Sequence, residues 1–332
     1  MRRWILFLWL FCAACSPLIS TRTPIPSGTT PPITLAVSPA FPSPTPLPTP
    51  IPATRITPSP TVTPTTPPTA DLAALQSQID GVLARYPADW HILVKRVAGR
   101  TLYSTQAGQR IEAASTIKIP IAMLFFKSVE VVGTPSLEGY LAEKGIDGRT
   151  YQQLLHAMLV VSEEDATDSL VKAIRESRLD VKATLNEWGA AHTDIFLRKT
   201  TVEDIAALID GFYAGERLLP PARQIMLNYM AEYTSADNTR IGVIRGRLPC
   251  WGTIYNKRGT ITTPYLAVAD VAIVEFPSAA GERAYTIALF AYPGKSGNTY
   301  ESLVQGMETL APVFWQAIRV ENGLPESGCG KP

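Results

Sequence analysis

A dense run of proline excludes about fifty residues of this chain from any folded core. Most of the 29 prolines lie between Ser16 and Pro68, where the other residues are chiefly Thr, Ser, Ala and Ile. Proline fixes its own φ and donates no amide hydrogen bond, so neither a helix nor a sheet propagates through such a segment. We therefore predict an extended linker of polyproline character over residues 16–68, with a reach on the order of 100 Å.

The residues before this linker predict export. A short positive start, Met1 to Arg3, precedes an apolar run from Trp4 to Phe11 that is too short to span a bilayer. The small residues ending at Cys15 resemble a bacterial lipoprotein signal, in which Cys15 becomes the lipidated first residue of the mature protein. The alternative is an ordinary secretory signal cut near Ala14. Residues 1–15 are thus predicted to direct the protein to the envelope side of the cytoplasmic membrane, as a lipoprotein or in secreted form.

Composition restricts the partners of the folded part. The net charge of +1 and the pI near 7.6 give no basic surface for a nucleic acid. The three histidines are far apart and no Cys-x-x-Cys is present, so we predict neither a metal site nor a cofactor. In an exported protein Cys250 and Cys329 can pair, although two free thiols fit the sequence equally well.

The remainder, residues 69–325, is predicted to form one domain with strands at both ends and helices between them. Patterns of apolar residues predict a first helix over 71–86, with Thr69 as its cap, and a helix-rich middle from about 115 to 233. Strands are predicted over 90–97, 101–104, 252–258, 265–276 and 283–292, and a last helix over 300–320. The fold class is therefore α/β (α+β): an antiparallel sheet from both chain ends plus an all-helical subdomain, with a cleft between them.

The residues Ser115-Thr-Ile-Lys118 begin the helical region and carry the chemistry. Residues three apart at a helix start share a face. A serine hydroxyl needs a base within hydrogen-bond reach, and a lysine amine serves when apolar neighbours lower its pKa. Without further motifs, Ser115 would more simply be read as a helix N-cap.

Further motifs are present, and with them the chain resembles class A β-lactamases and penicillin-binding D,D-peptidases from Thr69 onward. Those proteins carry Ser-x-x-Lys, Ser-Asp-Asn and Lys-Thr-Gly in that order. The matching segments here are Ser115-Thr-Ile-Lys118, Ser162-Glu-Glu164 and Lys257-Arg-Gly259-Thr260. The resemblance implies a β-lactamase/transpeptidase-like fold and a serine that becomes acylated.

It also implies roles for the matched residues. Ser115 attacks a carbonyl, Lys118 accepts its proton directly or through water, and Ser162 relays a proton to the leaving nitrogen. Lys257 presents positive charge to a substrate carboxylate. Substrate binding further involves Glu164, Gly259 and Thr260, the last two on a strand edge along the substrate. The oxyanion hole is expected to combine the Ser115 amide with a strand amide near residue 261 or 262.

Departures from the family pattern concern turnover more than acylation. Glu164 stands where the family has an asparagine that donates to substrate, and an ionised carboxylate cannot donate. It is also expected to hold Lys118 charged, against its use as a base. The loop over residues 189–199 lacks the glutamate that activates the deacylating water in class A enzymes. Asp194 and His192 are the candidate substitutes there, and the alternative, the commoner one for such residues, is that each is an ordinary loop residue.

The sequence therefore predicts a serine hydrolase acting on β-lactams or a peptidoglycan-like peptide. The alternatives are a tethered penicillin-binding or sensor domain, or a D,D-peptidase-like protein, that acylates with little turnover, and a structural domain in which the nucleophile is a relic.

Overall fold

The computed structural model describes residues 72–145, 147–235, 239–278, 281–294 and 297–325. The predicted signal peptide, Cys15, the linker, the Thr69 cap and Cys329 lie outside these ranges. Cys250 lies inside them and is disulfide-bonded, which excludes a free thiol at that position. No helix in the described part of the chain has the length and apolarity needed to cross a membrane.

Nine α-helices and seven strands make up the described part of the chain, in nearly the predicted order. The helices are α1 (Leu72–Arg85), α2 (Lys118–Val132), α3 (Leu137–Ala142), α4 (Tyr151–His156), α5 (Glu164–Glu176), α6 (Val181–Glu187), α7 (Val202–Ala214), α8 (Pro220–Ser235) and α9 (Tyr300–Glu321). The strands are β1 (Asp89–Arg96), β2 (Thr101–Thr105), β3 (Ile111–Glu112), β4 (Lys199–Thr200), β5 (Thr253–Ile261), β6 (Ala267–Ser278) and β7 (Gly281–Tyr292).

Five of the strands form one antiparallel sheet in the order β2-β1-β7-β6-β5. Strands from the start of the domain pair with strands from its end, because β1 lies directly beside β7. This confirms the predicted sheet from both chain ends. Strand β5 lies at one edge of the sheet, so its outer side is open to other parts of the molecule.

The sheet separates two hydrophobic cores, because successive side chains of a strand point to opposite faces. On β1, Ile92 and Val94 pack on one face with α1 and α9, while Leu93 packs on the other face. Helices α2 to α8 cover that second face, confirming the all-helical part. The central helix α2 is buried on nearly every side, which explains its continuous apolar sequence.

Strands β3 and β4 form a separate two-stranded sheet that connects two distant parts of the helical region. Ile111 pairs with Thr200, and Glu112 pairs with Lys199. The residue after β3, Ala113, donates its amide to the carbonyl of Arg198 at 2.9 Å. This small sheet holds the loop over residues 189–199 next to the chain that leads into Ser115.

Candidate active site

Ser115 lies in a short 3₁₀ helix, Ala114–Ile117, which leads directly into α2. Residues three apart are eclipsed in a 3₁₀ helix, so Ser115 lies above Lys118, the first residue of α2. Ser115 is not the cap of either helix, so the alternative reading of this serine as an N-cap is wrong. Pro120 is the third residue of α2 and so lies in its first turn, the part of a helix in which proline is tolerated.

Lys118 is fully buried, and its ammonium is surrounded by acceptors from the second motif. In the described part of the chain, Nζ donates to the Ser162 carbonyl at 2.6 Å, to Ser162 Oγ at 3.2 Å and to Glu164 Oε1 at 2.5 Å. Burial lowers the pKa of Lys118, and the Glu164 carboxylate opposes this lowering without cancelling it. Glu164 therefore does bind Lys118, as expected, but burial outweighs its effect on the pKa.

Ser162 occupies a backbone conformation that few residues adopt. It follows a π-helical turn, Ala157–Val161, and has a left-handed φ of 67°. Its Oγ receives hydrogen bonds from Lys118 Nζ at 3.2 Å and from Lys257 Nζ at 2.9 Å. The unusual φ turns both its carbonyl and its hydroxyl toward the two lysines, so Ser162 connects the first and third motifs.

Glu164, the first residue of α5, lies between two cations. Its Oε1 accepts from Lys118, and its Oε2 accepts a short hydrogen bond from the Arg198 guanidinium. Arg198 also donates to Asp168 at 3.0 Å. Burial of Glu164 raises the pKa of its carboxyl group, but the hydrogen bonds and charges of Lys118 and Arg198 lower it by more. The pKa of Glu164 is therefore below its ordinary value. The neighbouring Glu163 turns away and pairs with Arg149 at 2.9 Å.

Lys257 lies on β5 and is also fully buried. Its ammonium stands 4.2 Å above the centre of the Tyr233 ring while donating to Ser162. Burial, with the nearby cations Lys118 and Arg258, lowers the pKa of Lys257 to about 7. The Arg258 side chain bonds to Tyr233 Oη at 2.8 Å and to Thr239 Oγ1 at 2.7 Å.

Gly259 is the point where strand β5 approaches Ser115. A Cβ atom at this position would lie 2.8 Å from the Ala114 Cβ and 2.8 Å from the Ser115 amide nitrogen. Such distances are not tolerated, so only glycine permits the strand edge to come this close. Thr260, the next residue, lines the cleft beside Ser115.

The sequence itself matches the model of a known family. The model of the family described as "Beta-lactamase enzyme family" matches residues 74–307. The chain belongs to the beta-lactamase enzyme family. This confirms the resemblance on which the three motifs were aligned. No curated protein is similar to this chain in sequence at a significant level.

Solved structures share the fold of this family member. PBP-A superposes with a TM-score of 0.59 at 24% identity, over 77% of this chain and 99% of that protein. A leucine-to-glutamate mutant of PBP-A, solved as an acyl-enzyme complex with penicillin G, gives 0.58 at 22% identity over 76% and 99%. A β-lactamase from Streptosporangium roseum gives 0.61 at 17% identity over 75% and 99%.

The cleft of this family member opens on both sides of Ser115. One part, of about 520 Å³, is lined by the β5 end and the residues after it, and by Glu164, Leu197 and Arg198. The other part, of about 340 Å³, is lined by Ser162, Tyr233 and Arg258 among others. Within the described ranges, no group of three or more His, Cys, Asp or Glu side chains is arranged to hold a metal ion.

The two substitutes considered for the missing loop glutamate have structural roles instead. Asp194 Oδ1 accepts the amides of Phe196 and Leu197, and His192 binds Asp204 through its amide. Both line a separate cavity of about 440 Å³ that does not include Ser115. These contacts fit the reading of Asp194 and His192 as loop residues, because the Asp194 carboxylate and the His192 backbone amide shape the loop.

Arg240 is a site residue that the sequence motifs do not reveal. It is buried behind β5 and donates to the carbonyls of Gly259 at 3.0 Å and Ala269 at 2.7 Å. Its second nitrogen donates to Thr260 Oγ1 at 2.8 Å and to Tyr300 Oη at 3.2 Å. Arg240 therefore supports the strand edge and adds positive charge to the cleft. It lies in a polar segment without periodicity, so no sequence signal marks it.

Proposed function

We propose that this β-lactamase-like serine hydrolase forms an acyl-enzyme on Ser115 with β-lactams or related peptides. The observation that carries the proposal is the pair of hydrogen bonds from Lys118 and Lys257 to the Ser162 hydroxyl, beside Ser115 in one cleft. A hydroxyl held between two amines can pass a proton toward a leaving nitrogen. The acyl-enzyme complex of the PBP-A mutant with penicillin G supports the same chemistry on this fold.

In this proposal each matched residue has one role. The Ser115 hydroxyl attacks the lactam carbonyl, Lys118 takes its proton directly or through water, and Ser162 delivers a proton to the nitrogen as the amide bond breaks. The negative oxygen that forms is bound by the Ser115 amide and an amide of β5, whose open edge faces the nucleophile.

Binding of the substrate falls to the other side of the cleft. Lys257 and the arginines around Thr260 make that side electropositive, which favours the carboxylate that penicillins and peptide C-termini carry. The apolar acyl part of the substrate fits the larger cavity near Leu197 and Tyr265. Class A character is part of the proposal, and the loop over residues 189–199 contributes Leu197 and Arg198 to the cleft.

The second candidate is a tethered penicillin-binding or sensor protein, or a D,D-peptidase-like one, that acylates with little turnover. This second candidate is favoured because the described loop over residues 189–199 places no carboxylate in the cleft. With lipid on Cys15 and the 16–68 linker, such a protein would work at the envelope side of the cytoplasmic membrane.

The test is covalent labelling of the full-length protein in detergent with a fluorescent penicillin. We expect one adduct, located on Ser115 by peptide mass spectrometry and lost in Ser115→Ala. Lys118→Ala should abolish labelling, since the base is removed; undiminished labelling would reject Lys118 as the base. Absence of an adduct in the unchanged protein would overturn acylation altogether.

Turnover is measured separately with a chromogenic cephalosporin. A sustained rate supports the β-lactamase. A burst that equals one product per protein and then stops supports the penicillin-binding candidate.

A further inference from the structure

Two carboxylates line the larger part of the cleft beside Ser115, the part of about 520 Å³, and they differ in what they contact. Glu112 pairs with Lys199 across the small β3–β4 sheet at 3.3 Å. Glu164 instead touches Lys118, and its side chain is about half exposed to the cleft, at 52%. Of the two, only Glu164 is both in contact with the catalytic lysine and open to solvent water.

The hydrogen bonds of Lys118 indicate where a proton can go. Lys118 Nζ contacts the Ser162 carbonyl, the Ser162 hydroxyl and Glu164. Its side chain is fully buried, so the nitrogen is not exposed to the water that must attack the acyl-enzyme. The basic atoms that touch Lys118 and are also exposed to the cleft are the oxygens of Glu164.

We propose that Glu164 is the general base of deacylation, in place of the carboxylate that the loop over residues 189–199 lacks. The proposal rests on the acylation of Ser115 described under Proposed function. It moves the base from a loop to the first turn of α5, four residues before Asp168. The substitution of glutamate for the asparagine of the family motif, which looked like a loss of substrate binding, becomes a gain of a catalytic group.

The step balances in protons and bonds. Water attacks the ester carbonyl carbon of the acyl-enzyme, and one of its protons passes to the Glu164 carboxylate. The proton held by Glu164 then passes across the 2.5 Å hydrogen bond to the neutral amine of Lys118. The tetrahedral intermediate collapses, the bond between the carbonyl carbon and Ser115 Oγ breaks, and Oγ takes that proton from Lys118, which restores the neutral amine and the carboxylate. The products are a free carboxylic acid and the serine hydroxyl.

Arg198 restrains this base. Its guanidinium occupies Oε2, and together with Lys118 it lowers the pKa of Glu164. A carboxylate that accepts hydrogen bonds from both groups takes up a proton less readily, so the proposal implies slow deacylation. Removal of Arg198 leaves Asp168 as a nearby negative charge and should make Glu164 a stronger base.

The experiment follows release of penicillin G from the pre-acylated full-length protein by intact-mass spectrometry. Glu164→Gln keeps an acceptor for Lys118 but not a base, and should lengthen the lifetime of the adduct by about 100-fold or more. Arg198→Gln should shorten the lifetime several-fold. Glu163→Gln is the matched control, because the carboxylate of Glu163 is adjacent in sequence but pairs with Arg149 outside the cleft. This variant should leave the lifetime of the adduct unchanged.

Each other outcome overturns the proposal in a recognisable way. An equal lifetime in Glu164→Gln and the unchanged protein rejects Glu164 while acylation stands. Slower release in Glu112→Gln, with normal release in Glu164→Gln, assigns the base to Glu112. If Glu164→Gln cannot be acylated, Arg198→Gln decides, and an unaltered lifetime there rejects the proposal. If the unchanged protein forms no adduct, the proposed function fails and this inference fails with it.

Discussion

The charge of Lys257 should make the folded protein less stable than the same fold without it. Burial and two nearby cations lower its pKa from 10.5 to about 7. Each unit of pKa is worth about 1.4 kcal/mol, so lowering the pKa by about 3.5 units costs the folded state about 5 kcal/mol when Lys257 is fully charged. At pH 7, where about half of Lys257 is neutral in the folded state, the cost is about 4 kcal/mol. Lys257→Met keeps a long unbranched side chain, removes the charge and gives up one hydrogen bond worth about 1 kcal/mol. We expect it to raise the free energy of unfolding by about 3 kcal/mol at neutral pH while abolishing acylation.

The pH dependence of this gain follows from the direction of the shift. The pKa of Lys257 is lower in the folded state, so the unfolded chain binds more protons between about pH 7 and about pH 10.5. Stability of the unchanged protein therefore rises with pH across that window, and the full cost is present below it. The advantage of Lys257→Met should be largest at or below about pH 7 and should vanish toward about pH 10.

The measurement is urea unfolding of both proteins at several pH values, with the disulfide of Cys250 kept intact. Taking the difference between the two proteins cancels the titration of the other residues. Lys172→Met, at an exposed position, is the control and should show no pH-dependent difference. A difference between Lys257→Met and the unchanged protein that is constant with pH, or that favours the lysine at neutral pH, would refute the reasoning.

Three further outcomes are expected. Gly259→Ala places a Cβ 2.8 Å from the Ser115 amide nitrogen, so it should lower the free energy of unfolding by about 1–3 kcal/mol and the labelling rate by at least about tenfold. The control is Gly246→Ala, where a Cβ would have no atom within 4 Å. Equal labelling rates in the two variants would contradict the close approach of β5 to Ser115. Leu197→Glu puts a carboxylate into the cleft at an exposed position and should speed release of the adduct about tenfold or more. Leu197→Gln is the control and should not speed release. If Leu197→Glu releases the adduct no faster than the unchanged protein, the missing loop carboxylate does not limit turnover. The labelling rate with a carboxylate-bearing penicillin should fall above about pH 7 as Lys257 loses its proton, and a flat profile of labelling rate against pH would show that the charge of Lys257 does not attract the substrate carboxylate.

Much of the fold follows from local pattern. The strands β1 and β7 are dense in β-branched and aromatic residues, and α9 carries apolar residues at helical spacing, so their bounds differ from the predicted ones by only a few residues. The left-handed φ of Ser162 and the π-helical turn before it have no such signature. They depend on what surrounds the turn, namely two lysines that arrive from elsewhere in the chain.

The sequence by itself determined the linker composition, the order of the three motifs and the residue types available for acyl transfer. Proline content and motif spacing are properties of neighbours along the chain, so they need no coordinates. Only the tertiary structure decided that Glu164 binds both Lys118 and Arg198, and that Arg240 supports the strand edge. These contacts join residues 19 to 46 positions apart, and their strength depends on burial, which no local pattern records. The reading of Glu164 therefore changed from a lost hydrogen-bond donor to a candidate base.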